Sequence, residues 1–152
     1  MGVLVRRKIA ISACLLGKYC RYDGATKSNS TVLETFKNDE IIPFCPEAPV
    51  LGTPRERISV IEDEGKFCVI GDESKKDHTK AILKEVEKLW QEHPDLDMIV
   101  LKSKSPSCGL GTTPILNKDR KIIAHADGIA AAYLKEKYRD ILIIDELNIK
   151  ER

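Results

Sequence analysis

The chain has 152 residues, 42% of them hydrophobic and 32% charged. That balance fits one globular domain over residues 1–152 and excludes a disordered or fibrous chain. Lys and Arg number 25 against 24 Asp and Glu, a formal net charge of +1, which excludes the basic coat of a general nucleic-acid binder but not a local basic pocket. The longest apolar runs, such as residues 141–144, are far too short to span a bilayer. Arg6-Arg7-Lys8 follow Val3-Leu4-Val5, the reverse of the order in a signal peptide, so the expected location is the cytoplasm.

Residues 8–13 (KIAISA) read as a strand, followed by a polar loop through Lys27, Ser28, Asn29 and Ser30. A short helix is predicted over 30–37, with Val32, Leu33 and Phe36 on one face. The run 41–44 (IIPF) reads as a buried strand, its proline suited to a strand end. Three prolines and little periodicity mark 46–57 as an ordered loop or lid. Residues 58–61 and 67–70 flank a polar turn and predict a hairpin. The clearest helix covers 77–92, where Ile82, Leu83, Val86, Leu89 and Trp90 recur at helical spacing, Asp77 can cap the start and Pro94 ends it. A strand over 98–102, a second hairpin over 113–116 and 121–124, a helix over 127–138 and a last strand over 141–145 complete the chain. Strands alternating with amphipathic helices imply an α/β fold with a mostly parallel sheet.

Five cysteines, at 14, 20, 45, 68 and 108, are more than packing requires. An odd number in a chain with no export signal argues against a disulfide framework. Cys14 and Cys45 each lie just beyond a predicted strand, and Cys108 a few residues beyond a third. In an open parallel sheet the loops after the strand carboxyl ends share one crevice. If the three strands are parallel neighbours, three cysteines distant in sequence meet there. Three thiolates suit a soft metal and leave a coordination position open, as a catalytic site requires; three unrelated core cysteines fit the same spacing. Cys68 falls inside a hairpin strand, where a small buried residue fits, and Cys20 in a loop. His78, His93 and His125 stand at predicted helix ends as solvated or capping residues.

The segments SACLLG (12–17), RYDG (21–24), CPE (45–47), PR (54–55), DHT (77–79), KSPSCG (104–109) and DGIAAAYL (127–134) together resemble the thiouracil desulfidase family, formerly a domain of unknown function. The resemblance spans nearly the whole chain. It implies a Rossmann-like, three-layer α/β domain and a 4Fe-4S cluster held by Cys14, Cys45 and Cys108, with one iron lacking a protein ligand. It also implies a thiolated uracil base or nucleotide, such as 4-thiouridine monophosphate, hydrolysed to the oxo form with release of sulfide. By the same resemblance Glu47 and Ser105 are the catalytic pair, and Ser107 is the alternative serine. The chain departs from the family at Ala48–Gly52, at Glu56-Arg57, and at Leu110-Gly111-Thr112-Thr113-Pro114, all of which flank the expected substrate.

Read from the residues alone, Glu47 caps a helix or pairs with Arg55, and Ser105-Pro106-Ser107 is turn chemistry. Ser12, Arg21, Ser28, Asn29 and Ser30 are substrate-binding candidates, the last three because a loop entering a helix can hold a phosphate; a polar loop with an N-cap serine is the plainer reading. A sulfur carrier using a cluster-bound sulfide and a non-catalytic metal-binding domain are the competing functions. The expected partner is a small thiolated pyrimidine, with no membrane and no bulk nucleic acid.

Overall fold

The computed structural model describes residues 6–17, 29–51 and 56–149. Its first sheet contains four strands: β1 (Lys8–Ser12), β2 (Glu40–Phe44), β5 (Met98–Leu101) and β8 (Leu142–Asp145), in the order β2-β1-β5-β8. Every pairing in it is parallel. Pro43 lies on the edge strand β2, opposite Ile11, where a missing N–H does not interrupt a central ladder.

Alternation along β1 and β5 builds both faces of this sheet. Ile9, Ile11 and Val100 face the short helix α1 (Ser30–Thr35) and pack with Val32 and Phe36. Ala10, Ile99 and Leu101 face the opposite way, toward α3 (Thr79–Glu92) and α4 (Ile129–Lys137), and pack with Val86, Leu89, Ala131 and Leu134. Helices on both faces of a parallel sheet give the expected layered α/β arrangement.

The remaining strands, β3 (Ile58–Asp63), β4 (Lys66–Gly71), β6 (Thr113–Leu116) and β7 (Ile122–Ala126), form a separate sheet ordered β4-β3-β6-β7. Both expected hairpins are present and antiparallel. β3 and β6 join them in parallel, with Val60 opposite Ile115. The first hairpin closes through Glu64 and Gly65, both at positive φ, the backbone of a two-residue turn that follows the strand twist. The division into two sheets was not legible from the run of strands, because each hairpin satisfies its own hydrogen bonds locally and needs one parallel contact to find the other.

Helix α3 ties the two sheets together. Its Ile82 packs with Ile58, Val60, Val69 and Ile115 of the second sheet, while Val86 and Leu89 belong to the core of the first. These positions lie four and three residues apart, on one helical stripe, and each buried side chain contributes about 1.5–3 kcal/mol. Asp77 stands two residues before α3 and accepts the Thr79 amide at 2.9 Å. The Thr79 hydroxyl first, and then this amide, hold its carboxyl below the usual carboxylate range. Tyr138 closes the far end, donating to the carbonyl oxygens of His93 (2.7 Å) and Leu89 (3.2 Å); burial pushes its phenol up to about 12.

A short helix, α2 (Ala48–Leu51), stands within the expected loop or lid. Among the described residues no helix is long and apolar enough to cross a membrane.

Candidate active site

The strand order of the first sheet sets the site. From β1 the chain goes to β2 on one side, and β5 lies on the other, so the connections diverge between β1 and β5. Loops leaving the carboxyl ends of neighbouring strands open a crevice at such a point. The three strands that precede Cys14, Cys45 and Cys108 are the parallel neighbours β2, β1 and β5, which meets the topological condition for convergence. A cavity of about 830 Å³ opens there, and all three cysteines line it. Its other wall comes from the second sheet, through Ile58, Ser59, Val60, Pro114 and Leu116.

Each cysteine reaches the cavity by a different local device. Cys14 sits in a single 3₁₀ turn (Ala13–Leu16) that Gly17 ends in the left-handed conformation, its N–H returning to the Cys14 carbonyl at 3.3 Å. Cys45 follows β2 directly, and its Sγ accepts the Ala48 amide at 3.4 Å. Cys108 lies on a tight turn organised by Ser105, whose Oγ accepts the amides of Ser107 (3.2 Å) and Cys108 (3.1 Å).

Ser105 has a further role in this geometry. With two amides donating to its oxygen, its own proton is directed outward, and the hydroxyl donates to Glu47 Oε2 at 3.4 Å. Glu47 is 8% exposed and lines the same cavity. Its carbonyl accepts the Val50 and Leu51 amides of α2, which fixes the backbone behind its carboxylate. The backbone oxygen of Ser105 is pinned as well, by Thr113 Oγ1 at 2.6 Å and the Gly109 amide at 3.0 Å. A carboxylate, a hydroxyl directed at it and three thiols therefore border one partly buried space.

The other sequence candidates fall in several places. Ser12 lines the cavity, but its Oγ accepts the Lys102 amide at 2.9 Å, extending the β1–β5 connection beyond the last strand pair. Asn29 lines the cavity and caps α1, its side chain accepting the Val32 amide at 3.0 Å; the capping residue is thus Asn29 and not a serine. Ser30 is exposed and stands outside the cavity lining. Ser107 is fully buried, its hydroxyl has no hydrogen-bond partner among the described residues, and it does not line the cavity. Its carbonyl instead accepts the Ala130 and Ala131 amides at the start of α4. Arg21 and Ser28, with Cys20, Lys27 and Arg55, lie outside the described residues.

Cys68 is on β4, opposite Ile61, away from the cavity lining. Burial first, then the charges of Asp77 and Asp63, push its thiol up. His78 and His93 flank the ends of α3 as expected, whereas His125 lies on β7.

Sequence reasoning missed a polar group on the wall beside the cysteines. Lys102, Ser103 and Lys104 leave β5, and Glu146 follows β8; all four line the cavity, as do Arg57 and Asp72. Lys104 adopts positive φ, and its amide donates to Thr112 Oγ1 at 2.8 Å. Thr112 and Thr113 belong to the segment that departs from the family pattern, and in this chain both serve the turn that carries Ser105. A signal was present in the sequence: charged residues directly after predicted strands lie at the same sheet edge as the cysteines.

Among the described residues no three His, Cys, Asp or Glu side chains are arranged to hold a single metal ion. The three thiols border the cavity from three separate loops, an arrangement that fits a soft group with several attachment points better than a lone ion.

Fold and site together define an α/β protein with a thiol-lined cavity at the switch point of a parallel sheet. Residues 9–146 match the family model of 2-thiouracil desulfurase, and the chain belongs to that family. Over 153 aligned residues it is 29% identical to the uncharacterized protein YbbK of Bacillus subtilis (strain 168), covering 92% of this chain and 97% of that one. A solved structure described as a 4Fe-4S-dependent thiouracil desulfidase, TudS, superposes with a TM-score of 0.70 at 28% identity, over 95% of this chain and 93% of that chain.

Proposed function

We propose that this protein is a 4Fe-4S-dependent desulfidase that hydrolyses the C=S group of a thiolated uracil to C=O and releases sulfide. The observation that carries the reading is the meeting of Cys14, Cys45 and Cys108 with Glu47 and Ser105 on one cavity. Family membership and the similarity to TudS support it.

In this reading the three cysteines hold the cluster. When bound, the group would supply a soft Lewis acid matched to a thiocarbonyl sulfur. The nucleophile is water, and Glu47 takes its proton as general base as the C–O bond forms. The carboxylate then returns a proton as the C–S bond breaks, so the net change is water consumed and sulfide released with no redox step. Ser105, its hydroxyl already directed at Glu47, keeps that carboxylate oriented toward the water. Burial of Glu47 limits competing bulk water, which strengthens each of these contacts.

The substrate is a thiolated uracil as base or nucleotide. The cavity of about 830 Å³ has room for either form, and its walls carry Arg57, Lys102 and Lys104 beside Glu47, Asp72 and Glu146. The reading places the reaction in the cytoplasm, where thiols stay reduced. Anaerobically purified protein mixed with 2-thiouracil, 4-thiouracil and 4-thiouridine monophosphate tests it. Loss of thiocarbonyl absorbance matched by sulfide release supports hydrolysis. Sulfide that appears only when an acceptor protein is added indicates a carrier, and no reaction with any of the three contradicts the reading.

A further inference from the structure

The carboxylate of Glu146 comes from the segment after the last strand, far in sequence from Ser105, and its side chain is 7% exposed. It accepts the Ser103 amide at 2.6 Å, the Ser103 hydroxyl at 3.1 Å and the Lys102 ammonium at 3.1 Å. The Lys102 ammonium also donates to the Ser103 carbonyl at 2.8 Å, and the Lys102 amide is tied to Ser12 Oγ. A buried carboxylate is costly unless its lone pairs are used, and here three donors use them. All three come from two consecutive residues at the root of the turn that delivers Ser105 and Cys108.

Resting on the desulfidase reading, we infer that Glu146 is a positioning residue, whose carboxylate anchors Lys102 and Ser103 and thereby sets the placement of the Ser105 hydroxyl toward Glu47. It does not touch the reacting atoms. Ser12 fixes the same residue from β1, so the anchor joins the carboxyl ends of β1, β5 and β8, and the turn leaves the sheet from a rigid base.

The test uses full-length protein purified anaerobically, with E146A and E146Q. Amide hydrogen exchange is followed over residues 102–108 and, as a fold control, over α3. Both variants accelerate exchange at 102–108 and leave α3 unchanged. Kinetics are expressed per iron-loaded chain. E146A lowers kcat by about 10–100-fold with little change in KM, the scale expected when a reacting group is displaced by a fraction of an ångström to an ångström. In an S105A background the same substitution costs less than about twofold, because the group it positions is already gone. E146Q retains the shape and one acceptor, gives an intermediate kcat and carries the same readouts if E146A does not fold. Unchanged exchange at 102–108, or a full additive loss in the S105A background, overturns the assignment. Wild-type protein that leaves thiouracils intact while E146A loosens 102–108 overturns the desulfidase reading and preserves the anchor.

Discussion

Ser105 Oγ lies 3.4 Å from Glu47 Oε2 across 58 residues of sequence, donating to the carboxylate while two backbone amides donate to it. The direction of that hydrogen bond matters. It holds the Glu47 carboxyl group in place, with Ser105 as the group that orients it.

This relationship predicts different effects for the two partners. Glu47→Gln removes the base and lowers kcat by about 10²–10⁴-fold, the usual contribution of a positioned proton acceptor. Ser105→Ala lowers kcat less, since the carboxylate remains. Iron content stays at the wild-type level in Glu47→Gln, and kinetics of Ser105→Ala, which also loses the acceptor of the Ser107 and Cys108 amides, are expressed per iron-loaded chain. Steady-state kinetics beside iron analysis checks this; full activity in Glu47→Gln removes it from the mechanism.

Much of this site was legible in the sequence. Cys14, Cys45 and Cys108 each follow a β-rich run, and a parallel sheet gathers such loops at one edge, so their convergence follows from periodicity and topology. Helix α3 was legible from the stripe Ile82, Val86 and Leu89. Other features depend on contacts between distant segments, which no local pattern records. The Glu146 carboxylate reaches Ser103 across 43 residues. Ser12 spends its hydroxyl on the Lys102 amide 90 residues away. Ser107 adjoins a cavity residue in sequence yet packs beneath α4, because one step along a tight turn reverses the side chain's direction. Ser30 stands exposed because Asn29 satisfies the free amide of α1.

Thr113 tests the support under Ser105 from the second sheet. Its hydroxyl donates to the Ser105 carbonyl at 2.6 Å and is fully buried. Thr113→Val keeps the shape and loses that bond, costing about 0.5–1.5 kcal/mol of stability and reducing kcat. Thr113→Ser restores most of both. Denaturant unfolding and kinetics on the two variants check the pair; wild-type stability and kcat in Thr113→Val contradict a contribution from the hydroxyl.

Gly128 tests the other side of the same turn. Its φ is −64°, which any residue adopts, so the constraint is purely steric. A Cβ there would meet the Ser107 carbonyl oxygen at 2.3 Å and the Cys108 nitrogen at 2.9 Å. Gly128→Ala is expected to cost about 1–3 kcal/mol, the range for overpacking a filled interior. The strain falls on the Cys108 turn, so iron retention drops along with the melting temperature. A variant with wild-type melting and iron content contradicts the close approach.

Asp77 gives a pH-dependent prediction away from the site. Hydrogen bonds from Thr79 lower its folded-state pKa, so its contribution is present above the ordinary carboxylate range and is lost as pH falls through the lowered value. Asp77→Ala therefore lowers the melting temperature at pH 7, by about 0.5 kcal/mol in stability terms for an exposed cap. The difference from wild type closes in strong acid. A gap that persists with the carboxyl protonated contradicts the assignment.

In the proposed function Cys14, Cys45 and Cys108, and not Cys68, hold an iron–sulfur group in the cavity. Iron and acid-labile sulfide are measured per chain in anaerobically purified wild type and in the four single Cys→Ala variants. The account predicts about four iron and four sulfide in wild type and in Cys68→Ala, and their loss in Cys14→Ala, Cys45→Ala and Cys108→Ala. Wild-type protein free of iron and sulfide, or undiminished content in any of those last three variants, would contradict it.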